Sequence, residues 1–247
     1  FLLAQLLDLE GQTNDAAIYR KRAEARTMAV EEHLWHEAEG FYFDRAVDTR
    51  EFSDVKTPMG FLPLLYSPDP RKAERACRHF WDPEVFHTPY LLPTVSRDHP
   101  QFDPGSYWRG AVWHRTNWFS AKAFAASGRR AELTYLMRNY WELIRNGGVS
   151  ARENGHPLSG EKKCASLFTE GLSSFMDLFL SYVVGFQPIP GGFRLKPVCL
   201  GEDHPSFKWG PFRFLNEWLT VEWHQPSGIY SLTRGTAKER FPFKHGM

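Results

Sequence analysis

A dense group of aromatic, cationic and amide side chains lies between residues 107 and 117 of this 247-residue chain. Aromatic rings stack on the C–H faces of pyranose sugars, while arginine and asparagine form directional hydrogen bonds with hydroxyl groups. The group therefore fits a carbohydrate cleft, and it fits an aromatic core at the start of a helix equally well. The group comprises Tyr107, Trp108, Arg109, Trp113 and Asn117, with Gly110 allowing close backbone approach.

Glu153 lies in a polar segment, residues 150–160, between two strongly apolar stretches. Loops on a helical scaffold are where catalytic groups concentrate. A carboxylate that faces a cleft and holds a water molecule can act as a general base, and inverting glycosidases place it about 6.5–9.5 Å from a second carboxyl group. Without further context, a loop glutamate is more often a solvated surface charge.

The elements that must position these residues are predicted to be mainly helical. Apolar residues recur at helical spacing in six stretches, and Asn14 is the predicted cap of the second. The proline-rich segment 82–105 lacks this period and predicts a long ordered loop. The predicted helices cover residues 1–9, 15–34, 69–81, 112–126, 129–146 and 166–183.

After Gly185 the apolar period changes from helical to twofold. Strands are predicted at 193–200, 219–223 and 229–233, the last two joined by a turn at 226–228. Helices followed by strands predict a helical domain, residues 1–185, with a small β-rich C-terminal extension, residues 186–247.

Composition and residue spacing disfavour several classes of partner and cofactor. The formal net charge is +1 and no run of like charge is long, which disfavours nucleic acid and membrane surfaces. No stretch is long and apolar enough to span a bilayer. The three cysteines form no CxxC pair, and His33 and His36 lack zinc-ligand spacing, so neither a metal nor another cofactor is expected. The sequence does not determine the compartment, although a cytoplasmic one is favoured.

Five motifs, in order, give a resemblance that covers roughly residues 1–200. The chain resembles the (α/α)6-barrel inverting glycosidases grouped around glycoside hydrolase family 63, the trehalases and mannosylglycerate hydrolase. The resemblance implies the C-terminal half of an (α/α)6 barrel, hydrolysis of an α-glucoside or α-mannoside, Glu153 as general base, and sugar contacts from the 107–117 group and from Phe41 and Tyr42. The matching segments are 34–44, 60–64, 88–96, 107–117 and 153–160.

Three departures from the family pattern predict an altered pocket or a loss of activity. Ala111 replaces the usual proline, and Asn154-Gly155 replace an aromatic pair beside the base. Residues 167–171, Leu-Phe-Thr-Glu-Gly, stand where the family has a Phe-Ser-Trp helix start.

The general acid that the resemblance implies is an aspartate from the first half of the barrel. Asp44, Asp54, Asp98 and Asp103 match no acid motif. The six predicted helices are about half of the twelve in such a barrel. The inner face of this half would be exposed, and covering it would require the missing N-terminal half or self-association. Because the chain begins with Phe inside an apolar pattern, we interpret it as a fragment, and we expect it to be inactive alone.

Two other functions remain open from the sequence. The first is a non-catalytic or truncated barrel fragment that binds carbohydrate or serves a structural role. The second, less favoured, is a sugar epimerase that uses histidines to move a proton, but His33, His36 and His87 form no defensible pair.

Overall fold

A computed structural model of the chain describes residues 1–146, 148–198 and 205–242. The fold divides into two compact units, Phe1–Ser174 and Phe175–Met247. The helices are α1 (Leu2–Leu9), α2 (Thr13–His33), α3 (Pro70–Trp81), α4 (His114–Ala126), α5 (Arg130–Arg145) and α6 (Thr169–Leu178). The strands of the first unit are β1 (Trp35–His36), β2 (Phe41–Tyr42), β3 (Val112–Trp113), β4 (Asn154–Gly155) and β5 (Lys162–Lys163). Within the described residues, no helix combines the length and apolar character needed to cross a membrane.

The helices lie close to their predicted positions, with two corrections. Asp69 caps α3 as its sequence indicates, accepting a hydrogen bond from the Arg71 N–H at 2.9 Å. The predicted Asn14 cap is wrong, because α2 begins at Thr13 and Gln12 occupies the cap position without a side-chain hydrogen bond. The predicted helix from residue 112 starts at His114, since the two preceding residues form β3.

The core of the first unit is built around a cluster of phenylalanine rings that are essentially free of solvent contact. Edge-to-face contacts join them, with centroids 5.1 Å apart for three of the pairs. The cluster ties β2, α3 and α4 to the loop at 82–105, and so fixes the scaffold beneath the polar segments. Its members are Phe41, Phe61, Phe80, Phe86 and Phe124.

A 3-10 helix, Pro58–Leu65, supplies Phe61 to this cluster. Three residues per turn place Pro58, Phe61 and Leu64 on one face, and all three are buried. This element is not predicted from the sequence, because its apolar spacing fits neither the α-helical nor the strand period.

The second unit is largely antiparallel β-structure. A hairpin of β6 (Phe186–Ile189) and β7 (Gly192–Leu195) accompanies a four-stranded sheet in the order β11-β10-β9-β8. The sheet strands are β8 (Phe207–Phe214), β9 (Glu217–His224), β10 (Ile229–Arg234) and β11 (Ala237–Pro242).

The predicted hairpin at 219–233 is confirmed by β9 and β10, with Gly228 left-handed at the turn. Of the predicted strand at 193–200, residues 193–195 lie in β7 and residues 196–198 lie in no strand, while residues 199 and 200 lie outside the described residues. The boundary between the two compact units falls between residues 174 and 175, inside α6. The domain boundary predicted from the sequence, between residues 185 and 186, stays a prediction.

One face of α1 is apolar and exposed. Leu2, Leu6 and Leu9, spaced four and three residues apart, share this face and are 59–70% exposed. Ala4 is the single residue of α1 that is buried. Such a row of leucines is more typical of a helix that packs against further structure than of a free surface.

The core assignment predicts a contrast between two leucines. Replacing Leu64, 1% exposed, with Ala should lower the free energy of unfolding by about 2–5 kcal/mol, because it leaves a cavity in the core. The matched change Leu167→Ala, at a side chain that is 84% exposed, should cost less than about 0.5 kcal/mol. Urea denaturation followed by circular dichroism measures both, and equal losses would contradict the assignment.

Candidate active site

A small three-stranded sheet brings the two polar segments together. β3 pairs antiparallel with β4, placing Val112 opposite Gly155 and Trp113 opposite Asn154. β4 pairs in turn with β5. Glu153 immediately precedes β4, and its N–H donates to the Ala165 carbonyl at 3.1 Å. The aromatic group and the candidate base therefore lie side by side, although they are 40 to 46 positions apart in sequence.

Among the described residues, two donors form hydrogen bonds with the Glu153 carboxylate. The Tyr107 hydroxyl donates to Oε1, and the Ala165 N–H donates to Oε2 at 3.3 Å. The bond to Glu153, followed by burial and the carboxylate charge, raises the pKa of Tyr107 to about 12, so the phenol keeps its proton. A carboxylate has roughly four acceptor positions, so two donors leave capacity for a water molecule on this half-buried side chain.

Tyr107, Trp108 and Trp113 form a compact aromatic group beside that carboxylate. The Trp108 and Trp113 rings stack with centroids 4.4 Å apart and an angle of 2°. The Trp113 indole N–H donates to the Tyr107 carbonyl at 2.8 Å, which fixes the pair to the turn. Trp113 is 8% exposed whereas Trp108 is 57% exposed, so a flat indole surface faces solvent next to Glu153.

The backbone of the turn that carries this group explains why residues 110 and 111 are glycine and alanine. A Cβ at Gly110 would lie 2.3 Å from the Asp103 carbonyl oxygen, so only glycine fits. The Ala111 N–H donates to the Ser106 carbonyl at 3.0 Å, a bond that a proline could not make. The Ala111 departure is thus accommodated by an additional backbone hydrogen bond. Arg109 is exposed on this turn, and its carbonyl accepts from the Asp103 N–H at 2.8 Å.

Asn117 lies beneath the site rather than at its surface. Its side chain is fully buried, accepts from the Leu92 N–H at 2.8 Å and donates to the Leu92 and Trp113 carbonyls at 3.0 and 2.9 Å. These bonds fasten the 82–105 loop to the end of β3. Sugar contact by Asn117 remains a prediction, and in this structure its amide is occupied by backbone.

Phe41 and Tyr42 are placed in the core, apart from the contacts around Glu153. Phe41 belongs to the phenylalanine cluster, and the Tyr42 hydroxyl donates to Glu31 at 2.7 Å. Burial, followed by that bond to Glu31, raises the pKa of Tyr42 well above its ordinary value. Both rings are at most 3% exposed, so the predicted sugar contact has no accessible ring surface here and stays a prediction.

Lys162 organises the chain that leads to Glu153, a role that the sequence analysis missed. Its ammonium donates to the carbonyls of Ile144, Gly148 and Ser150 at 3.0, 2.6 and 3.2 Å. Burial, with the nearby Arg152 charge, lowers the pKa of Lys162. A lysine that binds backbone carbonyls leaves no pattern in sequence, because its partners are defined by chain path and not by residue type.

None of the four aspartates considered as an acid contacts Glu153 through any hydrogen bond or ion pair among the described residues. Asp98 lies 2.9 Å from the Lys56 ammonium, which favours its ionised form. Asp103 accepts from the Gly105 N–H at 2.9 Å, as expected of a turn. The other two are exposed: Asp44 and Asp54. Across the same described part of the chain, no three histidine, cysteine or acidic residues are grouped as metal ligands.

Comparison with known proteins assigns the fold and family. A family model for the mannosylglycerate hydrolase MGH1-like glycoside hydrolase domain matches residues 2–171. The mannosylglycerate hydrolase of Thermus thermophilus is 36% identical over 133 residues, which are 53% of this chain and 31% of that protein. The matched segment thus spans about a third of that relative's length.

Solved structures agree with this assignment. The structure of a GH63 mannosylglycerate hydrolase from Thermus thermophilus, in complex with glucose, is 31% identical with a TM-score of 0.59, covering 72% of this chain and 44% of that one. A sialidase chain has a TM-score of 0.80 at 21% identity, covering 96% of this chain and 24% of that chain, which shows a shared fold alone. The resemblance to family 63 is therefore confirmed. The chain belongs to the family of mannosylglycerate hydrolase MGH1-like glycoside hydrolase domains, among the glycosidases related to glycoside hydrolase family 63.

Proposed function

We propose that this chain supplies the general-base side of an inverting glycosidase that hydrolyses an α-mannoside or α-glucoside. The observation that carries the proposal is the Glu153 carboxylate, held by the Tyr107 hydroxyl beside the exposed face of Trp108. The names of the relatives favour a mannosyl unit linked to glycerate as the substrate.

The chemistry assigns each of these side chains a separate task. The sugar ring stacks on Trp108, and Glu153 takes a proton from the water that attacks the anomeric carbon opposite the leaving group. An acid on the other side donates a proton to the departing oxygen, so a hemiacetal of inverted configuration and an alcohol are released. Tyr107 and the Ala165 N–H hold the carboxylate in one orientation, which keeps its remaining lone pairs directed at the water.

The general acid belongs, in this proposal, to the half of the (α/α)6 barrel that complements residues 1–185. Two observations support this: the matched segment is 31% of the Thermus hydrolase, and the candidate aspartates bind other groups or lie exposed, away from Glu153. The exposed leucine face of α1 is a suitable contact for additional helices. Self-association of the chain is the alternative way to cover that face.

Two other functions differ from hydrolysis in what they require of Glu153. A carbohydrate-binding fragment would use the Trp108 face and need no base, and the exposed indole supports this as the second candidate. A sugar epimerase would move a proton with histidine, so its activity would survive loss of the Glu153 carboxylate.

The first prediction concerns the chain by itself. We expect the 247-residue protein to release no glycerate from mannosylglycerate and no sugar from α-glucosides or α-mannosides, because the proposal assigns the general acid to residues outside it. Coupled assays of released sugar and glycerate measure this. Turnover above that of the Glu153→Gln variant would overturn the proposal that the chain supplies only the general base.

A second prediction addresses the base when the complementary barrel half is supplied, on the same polypeptide or as a separate one. Glu153→Gln should lower kcat by about 10²–10⁴-fold, because the amide cannot take a proton from water. The matched control is Glu161→Gln, an exposed glutamate on the same loop, which should leave kcat within about twofold. NMR of the first-formed anomer reports the stereochemistry, and retention of configuration would contradict an inverting base.

A third prediction separates sugar binding from catalysis. Trp108→Ala should weaken binding of mannosylglycerate to the chain by about 0.5–1.5 kcal/mol, or roughly 2- to 12-fold in Kd, through lost stacking. Trp218, 59% exposed in the second unit, offers a control of equal exposure, and Trp218→Ala should leave Kd unchanged. Isothermal titration calorimetry measures both. Equal effects of the two changes would remove Trp108 from the site.

A further inference from the structure

His114 is a buried histidine at the start of α4, directly after Trp113 of the aromatic group. It is 3% exposed, and its ring lies nearly parallel to that of Tyr140, with centroids 5.4 Å apart. The backbone of α6 also packs against the ring, since a Cβ at Gly171 would lie 2.5 Å from His114 Cδ2. The imidazole is therefore enclosed between α5 and α6 in one orientation.

Both ring nitrogens have partners, and one partner fixes the tautomer. Nε2 lies 2.7 Å from the Arg152 carbonyl oxygen, which can only accept, so Nε2 carries the proton. Nδ1 lies 2.9 Å from the Tyr140 hydroxyl and, in the neutral ring, accepts a hydrogen bond from it. Burial lowers the pKa of His114, outweighing the Arg152 bond and the Glu170 charge that raise it, while the Lys162 charge lowers it further.

The residue that His114 holds is the one before Glu153. The Arg152 carbonyl is part of the peptide group that continues into the Glu153 N–H, and that N–H donates to Ala165 at 3.1 Å. The plane of this peptide is thus fixed on both sides. If either bond were lost, the peptide plane could rotate, and the N–Cα bond of Glu153, which helps to set the direction of its side chain toward Tyr107, would move with it.

We propose that His114 is a positioning residue, whose Nε2–H bond to the Arg152 carbonyl sets the direction of the Glu153 carboxylate. The inference rests on the proposed role of Glu153 as the base, and it adds a buried residue that supports this role. His114 touches no substrate. It acts on the backbone, while Tyr107 acts on the carboxylate itself.

The test uses the Tyr107 pKa as a reporter of carboxylate direction, measured by NMR titration of the chain with ¹³C-labelled tyrosine and assigned with Tyr107→Phe. In the wild-type chain the bond to Glu153 raises this pKa to about 12. In His114→Asn, whose amide is too short to reach Arg152, the Tyr107 pKa should fall toward the ordinary value of about 10. In His114→Gln, whose amide nitrogen replaces Nε2, it should stay near the wild-type value.

Tyr140→Phe is the control for packing, because it removes the partner of Nδ1 and leaves the Nε2 bond in place. Its Tyr107 pKa should match that of the wild-type chain. An unchanged Tyr107 pKa in a folded His114→Asn variant, as shown by circular dichroism, would overturn the proposal. So would equal losses in the asparagine and glutamine variants, which would indicate packing alone.

A measurement on the wild-type chain keeps the inference testable should His114→Asn fail to fold. The ¹⁵N shifts of the imidazole report which nitrogen is protonated, and the proposal requires the neutral ring with its proton on Nε2. A proton on Nδ1 would overturn it. Neither readout requires turnover, so this inference can fail while Glu153 remains the base, and hydrolysis can fail while His114 still directs the carboxylate.

Discussion

The arrangement around Glu153 depends on one short antiparallel pairing, between β3 and β4. Two residues on each strand align Trp113 with Asn154 and Val112 with Gly155. Trp113 lies opposite Asn154, the residue after Glu153, and its indole N–H binds the Tyr107 carbonyl, so the pairing brings indole, phenol and carboxylate to one place. The surrounding bonds serve this alignment: Asn117 holds the end of β3, and Lys162 holds the chain that leads to β4.

Rigid support beneath the site contrasts with an open edge elsewhere in the first unit. The phenylalanine cluster and the buried asparagine fix the aromatic turn from below, and the proposed catalysis would be sensitive to a misplacement of about 1 Å there. On α1, by contrast, a row of leucines faces solvent. The proposed partial barrel accounts for both features, because its scaffold would be packed and the edge that meets further helices would be exposed.

Local signals predicted the helices, while contacts between distant segments could not be read from the sequence. Asp69 followed by Pro70 marks the start of α3 because both capping and the proline backbone are local effects. β3 and β4 were missed because two extended residues show no period, and their stability comes from each other. Glu153 was identified through a family resemblance, and the loop composition alone would not have singled it out. Lys162 and His114 bind backbone carbonyls, whose positions depend on the completed fold.

The parallel stacking of Trp108 on Trp113 has a spectroscopic consequence. Two nearly parallel indoles with centroids 4.4 Å apart are close enough for their electronic transitions to couple, which gives an optical signal distinct from that of separated tryptophans. One ring of the pair is buried and the other faces solvent, so anything that covers Trp108 changes the surroundings of one half of a coupled chromophore. The protein therefore carries an intrinsic, label-free optical reporter of occupancy at this surface.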